Sequence, residues 1–133
     1  MAERYPALQD QHIRFIREQQ LFFVGTAGAE GFINVSPKGM DTFRVTGPTE
    51  VIWLNLTGSG NESAAHVAEN GRMTIMFCSF GKQPLIMRLY GRARVVHPRD
   101  DSWAALLGLF PADVGARQIF RLSLELVQTS CGY

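Results

Sequence analysis

Cysteine is scarce in this chain of 133 residues: Cys78 stands inside an apolar run, Cys131 near the end, and no Cys-x-x-Cys pair occurs. That spacing excludes a zinc knuckle or a dithiol redox pair and leaves no disulfide framework, so both are expected as reduced thiols. Surplus charge is equally scarce. Thirteen basic residues against 12 acidic ones give a net charge of +1, which removes any global attraction for nucleic acid or an anionic membrane and requires an anionic partner to be held locally. The longest apolar runs, residues 21–25 and 51–54, fall far short of the roughly 20 residues of a membrane span, and the N-terminus has no charged-then-apolar signal pattern. The expected location is the cytoplasm, with neither nucleic acid nor membrane as a partner.

Chemistry-bearing motifs are also thin. His12, His66 and His97 have no nucleophile tied to them by spacing, and the acidic residues form neither a metal-ligand set nor a carboxylate pair. A metal enzyme is disfavoured. What is abundant is apolar sequence, 46% hydrophobic against 19% charged, enough for a sizeable core and unlike a disordered chain. The length suits one domain over residues 1–133 with one site.

Residues 7–20 lack Gly and, at the helical face of Leu8, His12, Phe15 and Ile16, predict one amphipathic helix. The period then changes to two. Residues 21–27, 32–36, 42–46 and 51–56 are short runs rich in β-branched and aromatic residues, separated by Gly, Pro, Asn or Asp, and read as an antiparallel meander. Ser59 followed by Glu62 is a capping-box pattern and Asn70-Gly71 a left-handed stop, predicting a second helix over residues 60–70. Two long strands follow, residues 72–80 and 85–96. In the latter Leu85, Met87, Leu89, Ala93 and Val95 alternate with Ile86, Arg88, Tyr90, Arg92 and Arg94, giving one apolar and one cationic face. A short helix with Trp103, Leu106, Leu107 and Phe110 and a last strand, residues 118–127, complete the chain. About seven strands and three helices favour a closed or nearly closed antiparallel barrel, because closure removes edges; the alternative is an open sheet with helices on one face.

Three features favour an anion. Thr57-Gly58-Ser59-Gly60-Asn61-Glu62-Ser63 leads from a strand into a helix, where unpaired N–H groups and the helix dipole suit a phosphate. Its glycines do not make a dinucleotide fingerprint, since the third is missing and hairpins precede it. Lys38 ends the run Ile33-Asn34-Val35-Ser36-Pro37-Lys38-Gly39, and the cationic strand face carries Arg88, Arg92 and Arg94. Taken singly, these are a capped turn, an exposed turn lysine and a solvated face; converging, they make a phosphate site.

These residues carry a resemblance. Residues 33–39, the run from Trp53 through the glycine-rich segment to Glu69-Asn70-Gly71-Arg72, and residues 86–96 with Arg88-Leu89-Tyr90-Gly91-Arg92 resemble the pyridoxamine 5'-phosphate oxidase-like flavoproteins of the FMN-binding split-barrel fold, over nearly the whole chain. The resemblance implies a mainly β, α+β fold, an antiparallel split β-barrel, and a homodimer with FMN in a cleft between subunits. By position it implies Asn34, Val35 and Ser36 along the isoalloxazine ring, Lys38 and Thr57 at the ends of flavin-contacting strands, and Asn61, Glu62 and Ser63 in the phosphate loop. The oxidases proper place an arginine and a lysine where Glu62 and Ser63 stand, so phosphate binding falls to Ser59, Asn61, Ser63, backbone N–H groups, and Lys38 or Arg88.

The C-terminal Arg and His that grip the vitamin substrate have no counterpart before Cys131-Gly132-Tyr133, which argues against vitamin B6 oxidation; the resemblance is to a branch whose members continue beyond that point, and so implies a truncated form of a longer chain. The leading expectation is an FMN-dependent oxidoreductase of a small molecule. The alternatives are a non-catalytic binding or storage protein for flavin, haem or a deazaflavin, and a split-barrel dimer that has lost its cofactor.

Overall fold

The strict alternation of residues 85–96 becomes the spine of a single antiparallel sheet. A computed structural model describes residues 2–57, 61–111 and 115–131. Along the chain run β1 (Glu3–Tyr5), α1 (Asp10–Glu18), β2 (Phe22–Thr26), β3 (Asn34–Lys38), β4 (Phe43–Gly47), β5 (Glu50–Leu56), α2 (Glu62–Asn70), β6 (Arg72–Ser79), β7 (Leu85–Val96), α3 (Trp103–Leu107) and β8 (Ala116–Cys131). The strand order is β3-β2-β6-β7-β8-β5-β4, with β1 attached to β8. Among the described residues, no helix is long and apolar enough to cross a membrane.

The expected meander over the first four of the predicted strands is corrected. β2 pairs with β3, and β4 with β5, as hairpins, but β3 and β4 stand at opposite ends of the sheet. The reason lies in the turn between them. Met40 and Asp41 both adopt left-handed φ angles, 61° and 58°, and the Thr42 carbonyl accepts the Leu54 N–H at 2.8 Å. The chain is thereby committed to β5, which pairs with β8 over most of its length. The sheet still curls, because Phe22, Phe43 and Phe77 meet across the seam with centroids 5.0 Å apart for Phe22–Phe43 and for Phe43–Phe77. A nearly closed, split antiparallel barrel results, α+β in class.

Burial follows the sequence pattern. Odd-numbered Met87 and Leu89 point inward from β7 with Ile75 of β6 and Val127 of β8. The unbroken apolar run of β5 is buried on both faces: Val51 and Trp53 look into the barrel, while Ile52 and Leu54 pack with Val96, Phe110 and Ile119 beneath α3. Gly91 lies at the β7–β8 register shift, where a Cβ would run into the Ser123 carbonyl oxygen.

The second helix begins later than its spacing predicts. Asn61 is the N-cap and Glu62 the first helical residue, so Glu62 is not the third residue of a capping box. Its presumed partner Ser59, with Gly60, lies outside the described residues. The stop is as predicted: Gly71 is left-handed and its N–H returns to the Val67 carbonyl at 3.0 Å. Asn70 Nδ2 donates to the Ala27 carbonyl at 2.7 Å, tying the helix end to the β2–β3 turn.

On α1, His12 is only 2% exposed, its Nδ1 accepts the Gln9 N–H at 2.9 Å, and its ring meets the edge of Tyr5. Burial lowers its pKa below the ordinary 6.5, against a smaller upward pull from Glu3. The unfolded chain therefore takes up this proton first as pH falls, so His12 contributes stability above pH 6.5 that is lost as pH drops toward the lower folded value. Urea midpoints should fall between neutral and mildly acidic pH, and by less in His12→Gln. Equal falls would assign the acid sensitivity to other groups.

Candidate functional site

Alternation along β3 turns Asn34, Ser36 and Lys38 to one side and Val35 and Pro37 to the other. That side faces the start of α2, and the two elements enclose a cleft of about 290 Å³ lined by Asn34, Ser36, Lys38, Trp53, Asn55, Asn61, Glu62, Ser63 and Ala64. β5 supplies the floor. Trp53 lies flat on Phe120, centroids 4.2 Å apart, and its indole N–H points to Met73 Sδ at 3.4 Å. The Lys38 ammonium stands 5.3 Å above the indole centroid, an attractive placement for a cation on a ring face. Asn55, buried in an otherwise apolar strand, donates to Gln118 Oε1 at 2.9 Å.

The electrostatics of the cleft centre on Lys38. Removal from water lowers its pKa from 10.5, and the nearby Glu62 charge partly restores it. Behind the α2 side, the Asn34 amide donates to Ser63 Oγ at 3.4 Å, Ser63 Oγ lies 3.2 Å from Thr26 Oγ1, and Thr26 Oγ1 lies 3.0 Å from His66 Nδ1.

Of the residues singled out in the sequence, Asn34, Ser36, Lys38, Asn61, Glu62 and Ser63 meet in this one cleft. The others do not. Val35 is 66% exposed on the opposite face of β3. Thr57 is exposed beyond β5, its N–H given to the Gly115 carbonyl at 2.6 Å. Ser59 lies outside the described residues.

Arg88 is on the outer face of β7, in register with Met76 and Gln128. Arg92 bonds the Asn70 carbonyl at 3.1 Å, and Arg94, opposite Arg121, lines a neighbouring cavity with His97 and Gln118. Two of the three anion-friendly features therefore converge within the chain, and the strand face stays apart, because alternation tells that side chains share a face but not what that face meets.

Sequence reasoning missed Trp53 and Asn55 as cleft residues and Thr26 and His66 as the polar support of Ser63. Asn55 was the available signal: an amide in the middle of a buried strand needs a partner. Among the described residues no group of three or more His, Cys, Asp or Glu side chains is placed to hold a metal ion.

The donor set fits a phosphorylated planar ring. One ammonium, three amides and two hydroxyls surround an indole floor, whereas the described lining holds no His, Cys, Met or Tyr to ligate haem iron. The contrary feature is the Glu62 carboxylate at the helix start.

Comparison with known proteins agrees with the fold. A family model described as pyridoxamine 5'-phosphate oxidase matches residues 8–131. The pyridoxamine 5'-phosphate oxidase family protein ustO of Aspergillus flavus is 41% identical over 134 residues, 97% of this chain and 54% of that protein. The chain thus spans about half the length of the curated relative it matches.

Among solved structures, a putative pyridoxamine 5'-phosphate oxidase from Lactobacillus delbrueckii superposes with a TM-score of 0.75 at 20% identity, covering 92% of this chain and 94% of that one. HutZ of Vibrio cholerae, described as a haem storage protein, does so with a TM-score of 0.64 at 19% identity, covering 94% and 96%. At such identities the likeness is one of fold.

Proposed function

This chain belongs to the pyridoxamine 5'-phosphate oxidase family, and from that premise we propose that it is an FMN-binding flavoprotein, an oxidoreductase of a small molecule, whose cofactor lies between two copies of the chain. The observation that carries this reading is the convergence of Lys38, Asn34, Ser36, Asn61 and Ser63 on one indole-floored cleft. Lys38, Asn61 and Ser63 are assigned to the phosphate; Thr57, outside the cleft, and Ser59, outside the described residues, are assigned to it on the family resemblance alone. Asn34 and Ser36 are assigned to the ring edge through their side chains, and Val35, whose side chain faces away, through the backbone of the edge strand β3 alone; Arg88, on the outer face of β7, is assigned to the ligand of the second copy.

A bound flavin would supply the electron-transfer chemistry. The chain's own part is to bind, orient and exclude water, and the desolvated Lys38 lowers the cost of negative charge on the ligand.

A second copy is proposed because the cleft, at about 290 Å³, is at the lower limit of pockets for ligands of this size, about 300–1,000 Å³. The apolar surface beside it supports this: Phe32 is 97% and Ile33 73% exposed. Sedimentation at micromolar concentration is expected to give a dimer, and a monomer would remove the shared site.

An absorption spectrum of protein purified without added cofactor tests the main reading: flavin bands are expected. A colourless protein that ignores added FMN would instead support a split barrel that has lost its cofactor, the reading that Glu62 favours.

Glu62 provides a graded test. Replacing it by Gln removes a negative charge beside the assigned phosphate, so FMN affinity should rise by about fivefold or less, the scale of one exposed charge pair, and the gain should shrink in high salt. Glu62→Arg should bind tighter still while costing the helix start about 0.3–1 kcal/mol. FMN titrations of the three proteins at two salt concentrations measure this, and identical affinities would move the phosphate away from α2.

A further inference from the structure

The polar wall of the cleft continues inward from Ser63, and its protons can be counted. Thr26, on the buried side of β2 and 4% exposed, touches both Ser63 Oγ at 3.2 Å and His66 Nδ1 at 3.0 Å. The Asn34 amide already donates to Ser63 Oγ at 3.4 Å. Each hydroxyl owns one proton, and the buried Thr26 must give its own to one of these two neighbours, so the three groups support two consistent arrangements.

If Nδ1 of His66 is bare, Thr26 donates to it, Ser63 donates to Thr26, and Ser63 offers the cleft only a lone pair. If Nδ1 carries a proton, His66 donates to Thr26 and Thr26 donates to Ser63. Ser63 then accepts from both Thr26 and Asn34, and its own proton is left to point into the cleft. A ligand oxygen that only accepts, as in a phosphate, is served by the second arrangement alone.

We propose that His66 and Thr26 are positioning residues that orient the Ser63 hydroxyl as a donor to an anionic oxygen of the ligand. This rests on the reading of the cleft as a phosphorylated flavin site and names the device that makes Ser63 selective for the phosphate. Neither His66 nor Thr26 touches the ligand itself. Both lie outside the lining of the cleft.

Two measurements on the full chain decide it. In long-range proton–nitrogen spectra, His66 Nδ1 should carry a proton when FMN or inorganic phosphate is bound. In titrations with FMN and riboflavin, Thr26→Val should lose about ten- to a hundredfold of the preference for FMN, the span of one hydrogen bond to a charged group, and Thr26→Ser should recover most of it. A bare Nδ1 in the FMN or phosphate complex overturns the proposal, as does an unchanged FMN-to-riboflavin ratio in a folded Thr26→Val. If the wild-type chain binds no flavin, the flavin reading fails on its own and the inorganic phosphate arm still decides the relay, absence of phosphate binding counting against it. Should Thr26→Val not fold, the spectra of the wild-type protein and the Thr26→Ser ratio stand without it.

Discussion

Trp53→Ala is expected to cost about 3–5 kcal/mol of stability, the range for truncating a large buried aromatic. Trp53 is fully buried, stacks on Phe120 at an interplanar angle of 4°, and meets Phe22 edge-on at 6.2 Å. Its neighbours are themselves held in strands β2 and β8, so the gap cannot close without moving the sheet. Against a total stability of about 5–15 kcal/mol for a domain, that is at least about a fifth of the whole, so the unfolding midpoint should fall steeply. Trp53→Phe should lose less, forfeiting the indole contact to Met73 Sδ but keeping a ring on Phe120. Urea unfolding of the three proteins measures this, and a loss below about 1 kcal/mol in the alanine variant would mean that the site collapses freely. The same substitution removes the face beneath the Lys38 ammonium, so the stability of the barrel and the shape of the cleft depend on one side chain.

That double role explains why the site was only half legible in the sequence. Residues 51–56 read as core, and a tryptophan in an unbroken apolar run carries no sign that one edge of it forms the floor of a cleft. Lys38 was legible as a lone cation where a strand breaks, and Asn34 and Ser36 through the family resemblance, which named Val35 with them; the alternation of β3 then puts Val35 on the other side. Arg88 was legible as a cation on the face opposite the apolar one but not as one apart from the cleft, since period two distinguishes the faces of a strand without saying which structure each meets.

The fold divides in the same way. β7 has the boundaries its alternation predicts, residues 85–96. β8 runs on to Cys131, beyond the expected residue 127, because Gln128, Thr129 and Ser130 have no apolar alternation yet pair with β7 and, for Gln128 and Thr129, with β1. β1 itself, three residues with no pattern, is a strand only because the β8 edge is there. Local chemistry sets which segments are strands; partner choice is set by distant edges and by the turn at Met40 and Asp41.

Lys38 is where charge, burial and ligand should separate most cleanly. Lys38→Ala is expected to weaken FMN more than riboflavin by about 1.5–3 kcal/mol, the range for a hydrogen bond to a charged group, which is about ten- to a hundredfold in affinity. Lys38→Met keeps an apolar stem over the Trp53 ring, so it should reproduce the affinity loss with little change in unfolding midpoint. The pH dependence follows from the same residue. Burial holds the Lys38 pKa below 10.5 in the free protein, with Glu62 opposing the shift. A phosphate placed beside it favours the ammonium, so binding in the alkaline range must be accompanied by proton uptake. FMN affinity should therefore decline with rising pH before 10.5 is reached, more steeply than riboflavin affinity, since the ionisable ring imide is common to both ligands, and the difference should vanish in Lys38→Met. Fluorescence titrations of both ligands from neutral to alkaline pH measure all three. Equal losses for FMN and riboflavin would place Lys38 at the ring or in the scaffold, and an FMN profile no steeper than that of riboflavin in the wild type would show that the ammonium does not meet the phosphate.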